Sequence, residues 1–194
     1  MPSSSSRIAI EGSSLYQGRL SPRPLLSSTG LGWKGLVVER YQVSPCELPD
    51  LPLAHHIVEL ASQQHVSLGE RPDWRGQLRP FSKYPGTCNC FPAGVRPKLR
   101  SFTQTNLIVC GLEPEFVEEV SEELDSNPVA QFRAQIDIRD ESLGSLMRLL
   151  ENAAKSGQPS DNLYVDHSSR STTLLSWRLP TLPQPSEMCR LSGP

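Results

Sequence analysis

The chain has 194 residues, enough for one sizeable domain but too few for two full ones. Its formal net charge of −2 excludes the strongly basic character that is typical of nucleic-acid-binding domains. Hydrophobic residues make up only 37% and prolines number 18, which indicates a central folded domain with irregular ends. The five cysteines follow no secretory signal and no segment is long enough to span a membrane, so we expect a cytoplasmic protein with reduced thiols.

The predicted elements begin after a Ser-rich leader over residues 1–29, which we expect to be disordered. The β-branched and aromatic residues of GWKGLVVERYQVSP predict a strand over 35–43. Further short strands are predicted in AHHIVELAS, in HVSL, around residues 74–78, in TCNCFPAGVRPKLRS and in TNLIVCGL. Short strands at such close spacing are typical of a β-sandwich or a small barrel.

The hydrophobic period changes after the last of these strands, where helices are predicted. In LEPEFVEEVSEELDSN, Phe116, Val120 and Leu124 lie four residues apart, and glutamates cover the remaining surface as a solvated acidic face. AQFRAQIDI is a connection or a short strand. Asp140 is the expected N-cap of a second helix, which we expect to end at Gly157. Strands first and helices second indicate the α+β class, a β-sandwich or barrel followed by two or three helices.

Two cysteines, Cys88 and Cys90, are separated by one residue in a predicted strand, so their side chains point to the same face. No second pair of Cys or His residues stands at the spacing of a zinc site. We therefore interpret them as small buried hydrophobic residues, with metal ligation as the weaker alternative.

The most specific pattern is GTCNCFPAG, in which five residues separate Gly86 from Pro92 and one more leads to Gly94. It resembles the second motif of the cupin fold, where Gly opens a strand and Pro-x-Gly turns the chain at the rim of a barrel. A metal-binding cupin has a His three residues after the last Gly, and this chain has Pro97 there. Proline cannot bind a metal, so the motif favours the cupin fold without its metal.

The first cupin motif would have two His separated by one residue and then a carboxylate, whereas this chain has adjacent His55 and His56 followed by Glu59. Adjacent residues of a strand face opposite sides, so the two His cannot converge on one ion. The chain also lacks a Gly-x-Ser-x-Gly elbow and a phosphate-binding glycine loop. We predict no metal, no cofactor and no catalytic residue, hence no enzyme; a small metal-dependent cupin enzyme is the alternative.

Four segments, in order, resemble the N-terminal regulatory domain of AraC-type bacterial transcriptional regulators: STGLGWKGLVVERYQVSPCELPDLPLAHHIVEL, PFSKYPGTCNCFPAGVRPKLR, TNLIVCGLEPEFVEEV and NLYVDH. The similarity covers roughly residues 27–167. The resemblance implies a cupin-like β-barrel or double-stranded β-sandwich followed by helices, which senses a small-molecule effector or mediates dimerisation. It also implies a C-terminal DNA-binding domain with two helix-turn-helix units.

On this resemblance the chain divides into the leader of 1–29, a regulatory domain of 30–166 and an irregular tail of 167–194. From Ser168 onward the sequence departs from the family, which continues a helix toward the DNA-binding domain. A frameshift or early stop and a genuine stand-alone sensor are both open, and the prolines behind a half-formed helix favour disruption. We expect a homodimer or mixed dimers with intact relatives, no specific DNA binding by this chain alone, and no membrane association.

Small-molecule sites in barrels lie in the barrel mouth, with apolar walls and a few polar groups. The candidate pocket residues are His56, on the strand face shared with Val58 and Leu60, and Trp74. The alternative for His56 is a hydrogen-bonded core residue, and the alternative for Trp74 is an aromatic residue of a surface hairpin. The sequence does not name the effector.

Overall fold

The computed structural model describes residues 15–16, 23–48, 52–73, 75–123, 132–157 and 171. Within these residues the elements in chain order are β1 (Leu26–Ser27), β2 (Leu36–Val43), β3 (Cys46–Glu47), β4 (His56–Ala61), β5 (Ser67–Pro72), β6 (Leu78–Lys83), β7 (Cys88–Phe91), β8 (Arg100–Ser101), β9 (Thr105–Leu112), α1 (Pro114–Glu123), β10 (Gln135–Ile138) and α2 (Glu141–Ser156).

The strands form two antiparallel sheets, one of six strands in the order β1-β2-β9-β4-β7-β10 and one of four in the order β3-β8-β5-β6. The longest ladder joins β2 to β9, with Leu36 opposite Leu112 and Val43 opposite Thr105. The fold is therefore mostly β-sheet with two helices in the described residues, which agrees with the predicted α+β class. Within the described residues the two sheets are not joined into one closed barrel, so that part of the prediction is not confirmed.

The six-stranded sheet has two buried faces because side chains alternate along each strand. One, the helix face, carries aliphatic and cysteine side chains that pack with α1 and α2 in one hydrophobic cluster, including Val38, Val58, Cys88, Cys90, Ile108 and Cys110. The other, the inner face, is directed toward the four-stranded sheet and carries Glu39, Tyr41, Ile57, Glu59, Asn89 and Leu107. The two faces differ in polarity, and this difference positions the candidate site.

Both helices begin and pack as the sequence predicted. In α1, Phe116, Val117 and Val120 are buried, while the predicted acidic face is exposed; Leu124 lies outside the described residues. The Asp140 side chain caps α2 by accepting a hydrogen bond from the Leu143 N–H at 2.8 Å. Neither of the helices that the structure describes is long and apolar enough to cross a membrane.

The C-terminal end of α2 is also the predicted one. Gly157 has a φ of 60° and its N–H donates to the Ala153 carbonyl at 3.2 Å. This left-handed conformation is the one that glycine adopts without a steric penalty.

Three cysteines lie in the helix-face cluster, as predicted for Cys88 and Cys90. All three are free thiols and buried. Burial raises the pKa of the Cys88 thiol to about 12 and raises the pKa of Cys90 and Cys110 as well. The interpretation as small hydrophobic residues is confirmed.

Parts of the predicted leader contact the domain. Leu26–Ser27 pairs with β2, and Tyr16 is buried beside Tyr41, their rings meeting edge to face at 5.5 Å. The Ser-rich composition gave no indication of either contact. The predicted tail of 167–194 lies outside the described residues apart from Ser171.

Candidate functional site

A buried carboxylate, Glu59, lies at the centre of the inner face. β4 pairs with β7 in a register that places Glu59 opposite Asn89, whose Nδ2 donates to Glu59 Oε2 at 3.1 Å. Lys83, at the end of β6 in the other sheet, donates from Nζ to the same oxygen at 2.8 Å. The Tyr16 hydroxyl donates to Oε1. One carboxylate thus connects both sheets to residues 15–16, which we call the N-terminal segment.

The charge of Glu59 is stabilised by these partners. Burial alone raises the pKa of the Glu59 carboxyl, but the Lys83 ammonium and the hydrogen bonds from Lys83, Tyr16 and Asn89 outweigh burial, so the pKa lies below its ordinary value of 4.5. The side chains of Glu59 and Lys83 are 9% and 7% exposed. We therefore describe the pair as a desolvated ion pair whose two members depend on each other.

A second buried carboxylate, Glu39, fixes the same N-terminal segment. It accepts hydrogen bonds from the Leu15 N–H at 2.8 Å, from Ser27 Oγ at 3.1 Å and from the Tyr41 hydroxyl. Leu15 in turn packs against Gly111, where a Cβ would approach Leu15 Cδ2 to 2.3 Å. A strand residue without a side chain is needed there to admit Leu15.

A cavity of about 240 Å³ opens beside the Glu59–Lys83 pair, between the two sheets. We call it the inter-sheet cavity. Its described lining residues are Leu48, Glu59, Arg71, Pro72, Phe81, Lys83, Asn89, Phe91, Arg96, Pro97, Lys98, Leu99, Ile136 and Asp137. A smaller space of about 40 Å³ shares Leu48, Glu59, Phe81, Lys83 and Leu99 with it. The cavity combines apolar walls with a few charged groups, the usual character of a small-molecule site.

A second ion pair crosses between the sheets where Arg71 meets Asp137, with Arg71 Nη2 3.1 Å from Asp137 Oδ2. Asp137 is the one described non-glycine residue with a positive φ, 59°, and its N–H donates to Asn89 Oδ1 at 3.0 Å. Such a conformation is strained and is held by its surroundings. Asn89 therefore joins the Glu59 network to the Asp137 pair.

The predicted pocket residue His56 lies elsewhere. It shares its strand face with Val58 and Leu60, as predicted, but this is the helix face, and His56 does not line the inter-sheet cavity. Its Nδ1 accepts the Ala93 N–H at 3.3 Å, and its ring lies 4.7 Å from that of Phe132. Burial, and secondarily the charge of His55, lowers the pKa of His56. A ligand role for His56 stays a prediction, and Trp74 lies outside the described residues.

A cupin-type metal does not fit this arrangement. Glu59, the carboxylate that follows the His pair in the sequence, already accepts hydrogen bonds from Lys83, Tyr16 and Asn89, and a metal would have to displace the ammonium. His56 lies on the opposite face of β4 from Glu59. Among the described residues there is no group of three or more His, Cys, Asp or Glu side chains that could hold a metal ion.

The sequence did not predict that Lys83 and Asn89 belong to this site as partners of Glu59. One signal was available: a glutamate inside the apolar run HIVELA is rarely buried unless it is paired. The identity of its partner was not available, because Lys83 is 24 residues away and belongs to the other sheet.

No protein-family model matches the sequence, and a search of curated proteins gives no match either. Solved structures do resemble it. The AraC-like transcriptional activator CuxR is similar with a TM-score of 0.53 and 12% identity, over 80% of this chain and 55% of that chain. ToxT from Vibrio cholerae strain SCE256, solved with an unsaturated fatty acid bound, has a TM-score of 0.51 and 10% identity, over 78% of this chain and 58% of that chain.

These likenesses confirm the predicted resemblance to AraC-type regulators at the level of the fold. The chain spans a little more than half the length of the two regulators. A cupin domain from Bordetella pertussis is similar over 40% of this chain with a TM-score of 0.32, too low to support an argument.

Proposed function

We propose that this chain is the effector-sensing and dimerisation domain of an AraC-type transcriptional regulator, and that its effector binds in the inter-sheet cavity. The observation that carries the proposal is the cavity, a space of about 240 Å³ with apolar walls and buried polar groups. The fold shared with CuxR and ToxT supports it, as does the fatty acid bound to ToxT.

The Glu59 network gives a bound effector a means of being sensed. Lys83 and Asn89 both line the cavity, and through Glu59 they are connected to Tyr16 of the N-terminal segment. A ligand that contacts Lys83 in only one arrangement of this network shifts the population toward that arrangement. The network is therefore the proposed link between the cavity and the N-terminal segment.

The proposal is tested by ligand-observed NMR with a library of small fragments. Leu99 lines both the inter-sheet cavity and the smaller space, so Leu99→Trp fills the site. Leu149, an exposed residue of α2 that does not line the cavity, supplies the matched control Leu149→Trp. We expect fragments that bind the natural chain and the control but not the filled variant, with thermal melts verifying that both variants fold. Fragments that bind the filled variant equally well contradict the proposal.

Dimerisation and DNA binding are tested separately. We expect sedimentation velocity to give a dimer that persists at micromolar concentration. We expect no specific retardation of DNA by this chain alone, because its net charge of −2 and the exposed glutamates of α1 do not favour binding to phosphate. A monomer throughout the accessible range contradicts the first expectation, and retardation of one specific fragment at physiological salt contradicts the second.

The proposed role is binding and not catalysis. The engagement of Glu59 by Lys83 supports this choice over a metal-dependent cupin enzyme, since the carboxylate faces an ammonium and not a metal. Stoichiometric iron, manganese or zinc in the purified protein would favour the enzyme instead.

A further inference from the structure

The inter-sheet cavity carries an excess of positive charge. Its described lining residues include the cations Arg71, Lys83, Arg96 and Lys98, against the carboxylates of Glu59 and Asp137. Glu59 pairs with Lys83, Asp137 pairs with Arg71 and Arg96 has an interaction of its own, so the unpaired positive charge of the described lining is that of Lys98. Walls of low polarity concentrate the field of such charges inside a cleft, which attracts anions and repels cations.

Lys83 retains hydrogen-bonding capacity inside the cavity. Its ammonium has three N–H donors, and one of them is directed to Glu59 at 2.8 Å. In the part of the chain that the structure describes, Lys83 has no second acceptor, although its side chain is 93% buried. Because an unsatisfied buried donor is costly, an acceptor from a ligand is favoured at this position.

Glu59 does not prevent an anion from approaching. Its two oxygens are engaged by Tyr16, Lys83 and Asn89, and its charge is balanced by the Lys83 ammonium. An acceptor group in the cavity therefore meets the ammonium of Lys83 together with the charge of Lys98.

The remaining walls suit an apolar body. Phe81, Phe91, Leu99 and Ile136 line the same space. A cavity of about 150 Å³ accommodates benzene, so about 240 Å³ suits a single ring or a short aliphatic chain with one charged substituent.

We infer that the effector is a small organic anion, a carboxylate or a phosphate on an apolar body the size of one ring, whose anionic group binds Lys83 and Lys98. The inference rests on the proposed function, since it names the class of ligand for the same cavity. The positive charge of the lining determines the class of ligand, and the apolar walls determine its body.

Isothermal titration with matched probes tests this inference. Benzoate, phenyl phosphate, benzamide and benzylammonium share one ring and differ in charge. We expect benzoate or phenyl phosphate to bind at least tenfold more tightly than benzamide, and benzylammonium not to bind. Lys98→Gln should weaken the anion severalfold, whereas Lys34→Gln, an exposed lysine that does not line the cavity, should leave it unchanged.

The outcomes separate this inference from the proposed function. If benzamide or neutral fragments bind the cavity as tightly as the anions, the anionic class is wrong and the proposed function stands. If neither the anions nor any fragment binds, both are wrong. If the anions bind but Lys34→Gln weakens them as much as Lys98→Gln does, the attraction comes from the charge of the whole molecule and the inference is wrong.

Discussion

The two faces of the six-stranded sheet are built from the same strands and differ in what they hold. On the helix face, Val58, Leu60 and Ile108 pack with α1 and α2 in an apolar cluster. On the inner face, one residue along each strand, Glu59 and Asn89 form a polar network beside an open cavity. The helix face provides rigid support, and the inner face provides groups able to recognise a ligand.

Burial alone does not indicate which face of a strand is the structural core. Five of the six residues of β4 are buried, so apolar and polar sides are equally hidden from solvent. The inner face differs from the helix face in its buried ion pair and in the cavity beside it, and both depend on the second sheet. Four predictions test this contrast, in order of decreasing expected effect.

The largest effect is expected from Lys83→Met, which leaves Glu59 buried without its cation. We expect a loss of about 3–5 kcal/mol in the free energy of unfolding, measured by urea titration. The double variant Lys83→Met/Glu59→Leu removes both charges and should recover most of this loss. If the single variant is as stable as the natural chain, the pair is not desolvated as described.

Two adjacent residues of β9 compare the faces directly. Ile108 is buried in the helix-face cluster, and Leu107 lies on the inner face beside the smaller space. Ile108→Ala should cost about 3–5 kcal/mol, and Leu107→Ala about 2 kcal/mol, because the second truncation enlarges an existing space instead of creating a void in a dry core. Equal losses in urea titrations would show that the two faces are packed alike.

The pH dependence of stability isolates Glu59. Because its pKa is lowered in the folded chain, its ionisation stabilises the fold above about pH 4.5, and this contribution is lost as the pH falls through the folded pKa. Glu59→Gln removes the titration, so the stability of the natural chain should decrease more steeply below pH 4.5 than that of the variant. Parallel curves from urea titrations at pH 3 to 7 would contradict the lowered pKa.

The smallest effect is a difference in thiol reactivity. With a pKa of about 12, Cys88 is ionised to about one part in ten thousand at pH 8. Cys46, half-buried at the edge of the smaller space, is more accessible. In a Cys189→Ser background, a thiol reagent should modify Cys46 first and the three helix-face cysteines only after unfolding. Rapid modification of all four would mean that the helix face opens readily.

The sequence predicts the elements with local signals and misses those that depend on distant partners. Asp140 and Gly157 are local signals for the two ends of α2, and the structure confirms both as its caps. The strand face of His56 is also confirmed, but which face borders the cavity is set by helices more than 50 residues away. The pairing of Glu59 with Lys83 depends on the packing of two sheets and has no local signature.

The most direct test is a titration of isotope-labelled protein with benzoate, followed through the amide chemical shifts. We expect the largest shifts at residues that line the inter-sheet cavity, namely Phe81, Lys83, Asn89, Phe91 and Leu99. The amides of Leu143, Met147 and Leu150 in α2 should remain unchanged. Shifts centred on His56 and α2, with the cavity residues unaffected, would contradict binding in the cavity and place the site on the helix face.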